Sequence, residues 1–288
     1  MCLRCAFDMS ANVKLGPILT AHLFSSLEKA LIDLLRSLSP DEWEKQTLSP
    51  KWKVKDVAAH LLDTHLRRVT ACRDGYAGEA ISINSQTELA AFVNRLNQEG
   101  VRVYRRLSPE LLISLMELAS RQACLYFESL DPFATSRWAV SWAGERESAN
   151  WFDTAREFTE RWHHQQQIRV AVDKPGIVTP GFYYPVLDCF MRAAPHHYRT
   201  ITREPGSLVR FDISGECGGS WYMHRNDKSW ELLSSPRGKE VSVTAIPQEI
   251  AWRIFTRGID PDIAQSQVAV SGEAELGLHI LRMISIVA

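Results

Sequence analysis

The spacing of apolar residues changes along this chain, and the change separates a helical half from a mixed half. Before residue 178, apolar side chains recur every three or four residues, which is the period of an amphipathic helix. After it, segments such as Ser207–Ser214 alternate apolar and polar residues, as half-buried strands do. The stretch Lys174–Pro185, rich in proline and glycine, lies between them. The pattern predicts an α+β protein with a helical bundle at residues 10–178 and a smaller α+β domain at residues 179–288.

The first half contains five long helical patterns joined by short links, which favours an antiparallel bundle. Ser108 and Pro109 are typical of a helix start, as N-cap and first helical residue. A short helical turn is also expected at Asp41–Trp43. The predicted helices are Lys14–Leu38, Val54–Cys72, Thr87–Arg106, Pro109–Leu130 and Trp151–Val172.

The second half mixes short strands with helices, and we expect a mainly antiparallel sheet. The predicted strands are Ser207–Ser214, Trp221–His224, Trp230–Leu233, Val241–Ile246 and Val268–Ser271. The predicted helices are Val186–Arg203, Pro247–Arg257 and Glu273–Ile286.

Composition narrows the class of partner. A net charge of −1 gives no reason to expect binding to nucleic acid or an anionic membrane, and no apolar run is long enough to span a bilayer. Met1–Asp8 does not resemble a signal peptide, so a cytoplasmic location is expected, with Met9 as a second possible start. The six cysteines are interpreted as reduced thiols, and the Cys2/Cys5 CxxC pair as chance spacing.

A metal site is one interpretation of the last helix of the bundle. Glu160 and His164 are four residues apart, so a helix places them one above the other on the same face. A carboxylate and an imidazole in that position can bind one metal ion, although an isolated pair is more often part of a solvated surface. His163 points about 100° away around the helix and shares a metal with Glu160 less easily. Glu157, one turn earlier, is either a base or an ordinary solvated glutamate.

Two histidines of the second helix have different surroundings. His60 lies at the margin of the apolar stripe, and by itself it is interpreted as an ordinary boundary histidine. His65 lies nearer the middle of the apolar side and is predicted to be a core histidine with satisfied hydrogen bonds. Spacing alone does not pair His60 with the distant helix of Glu160.

Two segments together resemble a known family. Trp52–Leu61 contains a tryptophan, a valine-lysine-aspartate run and a histidine-leucine pair. Glu160–His164 contains a glutamate-xxx-histidine element. Both resemble the signatures of the mycothiol-dependent maleylpyruvate isomerase family, within the DinB-like metal-binding four-helix superfamily. The resemblance implies a DinB-like four-helix bundle followed by a domain similar to the sterol carrier protein fold. It also implies a divalent metal, usually zinc, bound by His60, Glu160 and His164.

The function implied is a metal-dependent isomerase or transferase that uses a low-molecular-weight thiol on a small electrophilic substrate. Three protein ligands leave a position for a reactant on a four-coordinate zinc ion. Two alternatives stay open: a metal-dependent hydrolase that uses water, and a non-enzymatic protein that binds a metal or a small ligand. In this scheme Glu157 is a candidate base, or an acceptor of a hydrogen bond from a metal-binding side chain.

The chain departs from the family pattern at one position. The family commonly has aspartate three residues after the second metal histidine, whereas this chain has Gln167. If that aspartate orients the histidine, its replacement changes the orientation or the metal affinity. The family also uses an arginine of the C-terminal domain, for which Arg253, Arg257 and Arg282 are all candidates here.

Overall fold

The computed structural model describes residues 15–76, 78 and 85–286. A helical N-terminal region is followed by a smaller region built on a mixed sheet, which confirms the predicted α+β class. The expectations for Cys2, Cys5 and Met9 fall outside the described residues. The other four cysteines, Cys72, Cys124, Cys189 and Cys217, are free, as predicted. None of the helices in the described ranges is long and apolar enough to cross a membrane.

Six α-helices lie in the described part of the N-terminal region. Helix α3 packs against α4, α5 and α6, while α1 packs against α5 and α6. Helix α3 continues into a π-helical turn, Val69–Arg73. The bounds are α1 Phe24–Arg36, α2 Pro40–Trp43, α3 Val54–Arg68, α4 Gln86–Tyr104, α5 Pro109–Glu128 and α6 Asn150–Val172.

Local hydrogen bonds explain where the site-bearing helix α3 begins. Asp56, in its first turn, accepts a hydrogen bond from the backbone N–H of Lys53 at 3.1 Å. This contact satisfies a donor that the helix would otherwise leave unpaired, and it places Trp52 directly before the helix. Ser108 caps α5 as predicted, accepting from the N–H of Leu111 at 3.3 Å.

The second region contains a five-stranded sheet with the order β3-β2-β1-β4-β5. Its neighbours pair antiparallel except for β1 and β4, which are parallel, so the sheet is mainly antiparallel as predicted. The strands are β1 Ser207–Ser214, β2 Gly219–Arg225, β3 Trp230–Leu233, β4 Lys239–Pro247 and β5 Ala269–Gly272. The helices are α7 Pro180–Met191, α8 Ala194–His197, α9 Gln248–Phe255, α10 Pro261–Gln265 and α11 Ala274–Leu278.

Some helix bounds were predicted wrongly. The first helix starts with a 3-10 turn at Ala21–Leu23 instead of at Lys14, because Gly16 and Pro17 disfavour helix before it. Helix α7 begins earlier than predicted, with Pro180 in its first turn. The last helix is shorter than predicted and ends in a 3-10 turn at His279–Arg282.

A continuous hydrophobic core joins the two regions. Trp162 of α6 stacks on Tyr183 of α7, with ring centroids 4.5 Å apart, and donates its indole N–H to the carbonyl of Ile177 at 2.9 Å. Trp252 of α9 meets the edge of Trp162 at 6.1 Å. Helix α6 therefore packs against the C-terminal region through Trp162, which lies between Glu160 and His164 in the sequence. The domain boundary near residue 178 stays a prediction.

Candidate metal centre

Helix α6 is buried around most of its circumference. Sixteen of its 23 residues are buried, and they include polar residues on the face of Glu160 as well as aromatic residues opposite. This burial excludes the interpretation of that face as a solvated surface. A polar row inside a protein needs partners or a ligand, because burying an unpaired polar group costs about 1–3 kcal/mol.

The structure brings His60 and His164 together. Their ring centroids are 4.6 Å apart, with the rings nearly perpendicular. Trp52 covers both rings, at 4.7 Å from His60 and 6.1 Å from His164. His60 is 5% exposed and the His164 side chain 12% exposed, so both imidazoles lie in the interior. The start of α3 and the middle of α6 thus meet at one place.

Glu160 and His163 complete the cluster. Glu160 Oε2 is 3.7 Å from His164 Nε2. Glu160, His163 and His164 each have one possible metal-ligand atom within 4.8 Å of the other two. This is the only such group of histidine, cysteine or acidic side chains among the described residues. His163 is therefore within reach of the same ion as Glu160 although it starts about 100° away around the helix, because two rotatable side-chain bonds let neighbouring imidazoles converge. His60 lies outside that group of three and joins the cluster through its contact with His164.

Gln167 orients His164. Its side-chain oxygen Oε1 lies 3.0 Å from His164 Nδ1. An amide oxygen only accepts hydrogen bonds, so His164 donates from Nδ1 and keeps Nε2, the nitrogen facing Glu160, free as a ligand. Glutamine thus supplies the same kind of acceptor as the aspartate usual in the family, without its charge.

Burial sets the protonation of the cluster. It lowers the pKa of His164 to about 4, a shift that the hydrogen bond from His164 to the Gln167 oxygen opposes. Burial, followed by the nearby histidines, also holds the pKa values of His60 and His163 well below 6.5. Burial raises the pKa of Glu160 to about 7. Neutral imidazoles are the form that binds metals, so the histidines are ready as ligands at neutral pH.

The donor set fits a divalent metal such as zinc. His60 Nδ1 and His163 Nδ1 are buried and have no hydrogen-bond partner among the described residues. Such atoms are expected where an ion or water completes the site. Imidazole nitrogens with one carboxylate suit zinc and similar transition metals better than magnesium or calcium, which prefer oxygen ligands.

Glu157 belongs to a different group of side chains. It forms ion pairs with Arg68, Arg156 and Arg161, the last at 2.7 Å. Burial alone would raise its pKa, but the three guanidinium groups outweigh burial and hold the pKa of Glu157 well below 4.5. A carboxylate this acidic is a weak base. Its position favours a structural role over proton transfer.

The three candidate arginines of the C-terminal region lie in different settings. Arg282 is largely exposed and lies 3.9 Å from Asp262. Arg257 follows α9 in the left-handed backbone region, with φ 57°. Arg253 lies on α9 next to Trp252, whose ring contacts His163 at 5.7 Å. The contact of Trp252 with the cluster was not predicted, because no spacing rule links α6 to a helix some ninety residues later.

These features define a class: an α+β protein with a cluster of histidines and a glutamate inside its helical region. The family model of the mycothiol maleylpyruvate isomerase N-terminal domain matches residues 24–169, which is 146 of 288 residues. The chain belongs to this family, as its two sequence signatures predicted.

Solved structures and curated proteins were also compared. A crystal structure of the mycothiol-dependent maleylpyruvate isomerase is 14% identical, covers 88% of this chain and 92% of its own, and has a TM-score of 0.48. A variant of that enzyme with a histidine replaced by alanine is 12% identical, with the same coverage and TM-score. No curated protein matches the chain.

Proposed function

We propose that this chain is a metal-dependent enzyme that uses a low-molecular-weight thiol, such as mycothiol, either to isomerise a small electrophilic substrate or to form a thioether with it by transfer. The observation that carries the proposal is the meeting of His60 and His164, with Glu160 beside them, inside a protein of this family. The metal ligands proposed are His60, Glu160 and His164.

Each residue of the cluster has a defined part in this scheme. His60 and His164 present neutral imidazoles, and Glu160 supplies the negative charge that a divalent cation favours. A divalent metal bound there would lower the pKa of a thiol, so that the thiol reacts as a thiolate near neutral pH. Gln167 keeps His164 in the ligating tautomer. Trp52 covers the two histidine rings and limits access of water.

The proposed thiol chemistry is addition to an electrophilic carbon–carbon double bond. Addition converts that double bond to a single bond, about which the substrate can rotate. Elimination of the thiolate then restores the double bond in the other geometry, whereas protonation of the adduct gives a thioether. We assign no proton transfer to Glu157, since its three arginine partners keep it ionised.

The test uses the zinc-loaded full-length protein with a panel of thiols, including mycothiol, and of electrophiles, including maleylpyruvate. Wild type should isomerise at least one substrate, or convert it to a thioether, in a thiol-dependent and zinc-dependent reaction. His60→Ala should reduce the rate to background, whereas His22→Ala, at an exposed histidine outside the cluster, should retain it.

Two results would contradict the proposal. One is an equal background rate for wild type and His60→Ala with every thiol. The other is zinc-dependent hydrolysis of an ester or amide that proceeds without thiol, which would replace the proposal with the hydrolase alternative.

A further inference from the structure

We propose that His163 supplies a third imidazole to the metal centre and that Trp252 of the C-terminal region holds its ring in place. The inference rests on the metal-binding part of the proposed function. It adds a ligand that the family signatures do not include, and it gives the C-terminal region a part in metal binding.

The distances favour a shared ion. One donor atom from each of Glu160, His163 and His164 lies within 4.8 Å of the other two. Bonds of about 2.0–2.1 Å to a tetrahedral zinc ion would place the donors roughly 3.4 Å apart, which small side-chain rotations achieve. Glu160 and His163 also have the Glu-x-x-His spacing that helical bundles use to bind metals from one helix.

A comparison with another buried histidine supports the same conclusion. His65 is completely buried, and its Nδ1 lies 3.3 Å from Arg161; its Nε2, which also has no hydrogen-bond partner among the described residues, still faces the Glu28 carboxylate at 3.2 Å. His163 is 3% exposed, yet its Nδ1 has no hydrogen-bond partner in the described part of the chain. A buried ring nitrogen without a partner calls for a ligand, and the ligand atoms of Glu160 and His164 near the same ring point to a cation.

Trp252 forms the wall behind His163. Their ring centroids are 5.7 Å apart, and Trp252 is itself fixed by an edge contact with Trp162 and by the buried helix α9. The backbone N–H of Trp252 donates to the Tyr183 hydroxyl at 3.2 Å, which ties α9 to α7. The orientation of His163 therefore depends on the packing of the C-terminal region against α6.

A third imidazole changes what the centre can accept. Three histidines and one glutamate fill a four-coordinate zinc ion, so a thiol must enter as a fifth ligand or replace one of them. His164 is held by a hydrogen bond to Gln167, and His60 and His164 are the two imidazoles that the family signatures contain. His163 is therefore the imidazole that we expect an incoming thiol to displace.

X-ray absorption spectroscopy of the zinc-loaded full-length protein tests the ligand count directly. Wild type should show three imidazoles per zinc, and His163→Phe, which keeps a ring against Trp252 but removes the donor, should show two. Adding a thiol to wild type should replace one nitrogen ligand with sulfur. Two imidazoles in thiol-free wild type would overturn the inference, and this measurement needs no variant to fold.

Zinc affinity, measured by competition with a chelator, gives a second readout. His163→Phe should weaken zinc binding more than about tenfold, the lower end of the effect of losing an outer-shell partner. The same substitution at exposed His22 should leave the affinity unchanged. As a single substitution, Trp252→Leu should weaken zinc binding. Added to His163→Phe, it should have no further effect, because the tryptophan acts through the histidine. Additive losses would contradict the role of Trp252.

The outcomes separate this inference from the proposed function. Zinc bound by two imidazoles, together with thiol-dependent turnover, would overturn the third imidazole and leave the proposed function standing. A wild-type protein that binds no zinc would overturn both.

Discussion

The two regions of the molecule bury different kinds of side chain. The interior of the helical region holds charged groups in contact with one another, whereas the sheet packs Phe211, Trp221 and Met223 into a mainly apolar core. In the helical region, three arginines meet three acids: Arg68, Arg156, Arg161, Glu28, Asp153 and Glu157. The formal charges of these six groups balance.

Stability and the candidate metal site therefore depend on different parts of the molecule. Buried ion pairs add little net stability, because removing charges from water offsets their attraction. The apolar core follows the ordinary route to stability, through burial of hydrocarbon surface. The ion network instead connects α1, α3 and α6, and α3 and α6 carry the predicted ligands.

The largest effect is expected from breaking the ion network. Arg68→Met leaves Asp153 and Glu157 with one fewer partner in a buried site, so the free energy of unfolding should fall by about 3–5 kcal/mol. Urea denaturation measures it. Arg36→Met, which removes an exposed pair with Glu117, is the control and should change stability by less than about 1 kcal/mol. Equal effects at the two arginines would mean that burial does not distinguish the pairs.

A smaller effect is expected from the residue that orients His164. Gln167→Leu removes the acceptor for His164 Nδ1, so zinc affinity should fall about 10–100-fold, while Gln167→Asp should retain it. Chelator competition measures the affinities, with Gln265→Leu on the exposed surface of the sheet region as the matched control. Unchanged affinity in Gln167→Leu would show that the amide has no part in metal binding.

The smallest effect is expected from the titration of His197, in the C-terminal region, on the free energy of unfolding. Burial lowers the pKa of His197 to about 4, which outweighs its hydrogen bond to the carbonyl of His279 at 3.0 Å. Between pH 6.5 and 4 the unfolded chain therefore binds a proton that the folded chain does not, and stability falls as pH falls. After allowance for partial exposure, the loss should be about 1–2 kcal/mol.

His197→Gln removes this titration. Its free energy of unfolding relative to wild type should therefore improve steadily from pH 6.5 to pH 4 in urea denaturation. A constant difference between the two proteins over this range would contradict a lowered pKa at His197.

Much of the fold could be predicted because it depends on local pattern. Helix α5 begins at Pro109 behind its serine cap, and β1 covers Ser207–Ser214 as its alternation predicted. Errors occurred where local signals competed. The apolar period continued across Gly16 and Pro17 into a segment that is not helical, and α7 begins at a proline that was interpreted as part of a linker.

The candidate site divides in the same way. The sequence by itself determined that Glu160 and His164 lie one above the other, because an α-helix repeats every 3.6 residues. It could not place His60 against His164, Trp252 against His163, or Arg68 against Asp153. The residues of the first pair are more than a hundred positions apart, those of the second about ninety, and those of the third 85. Only the packing of α3 and α9 against α6 decided them, since side chains distant in the chain meet where helices bury their surfaces together.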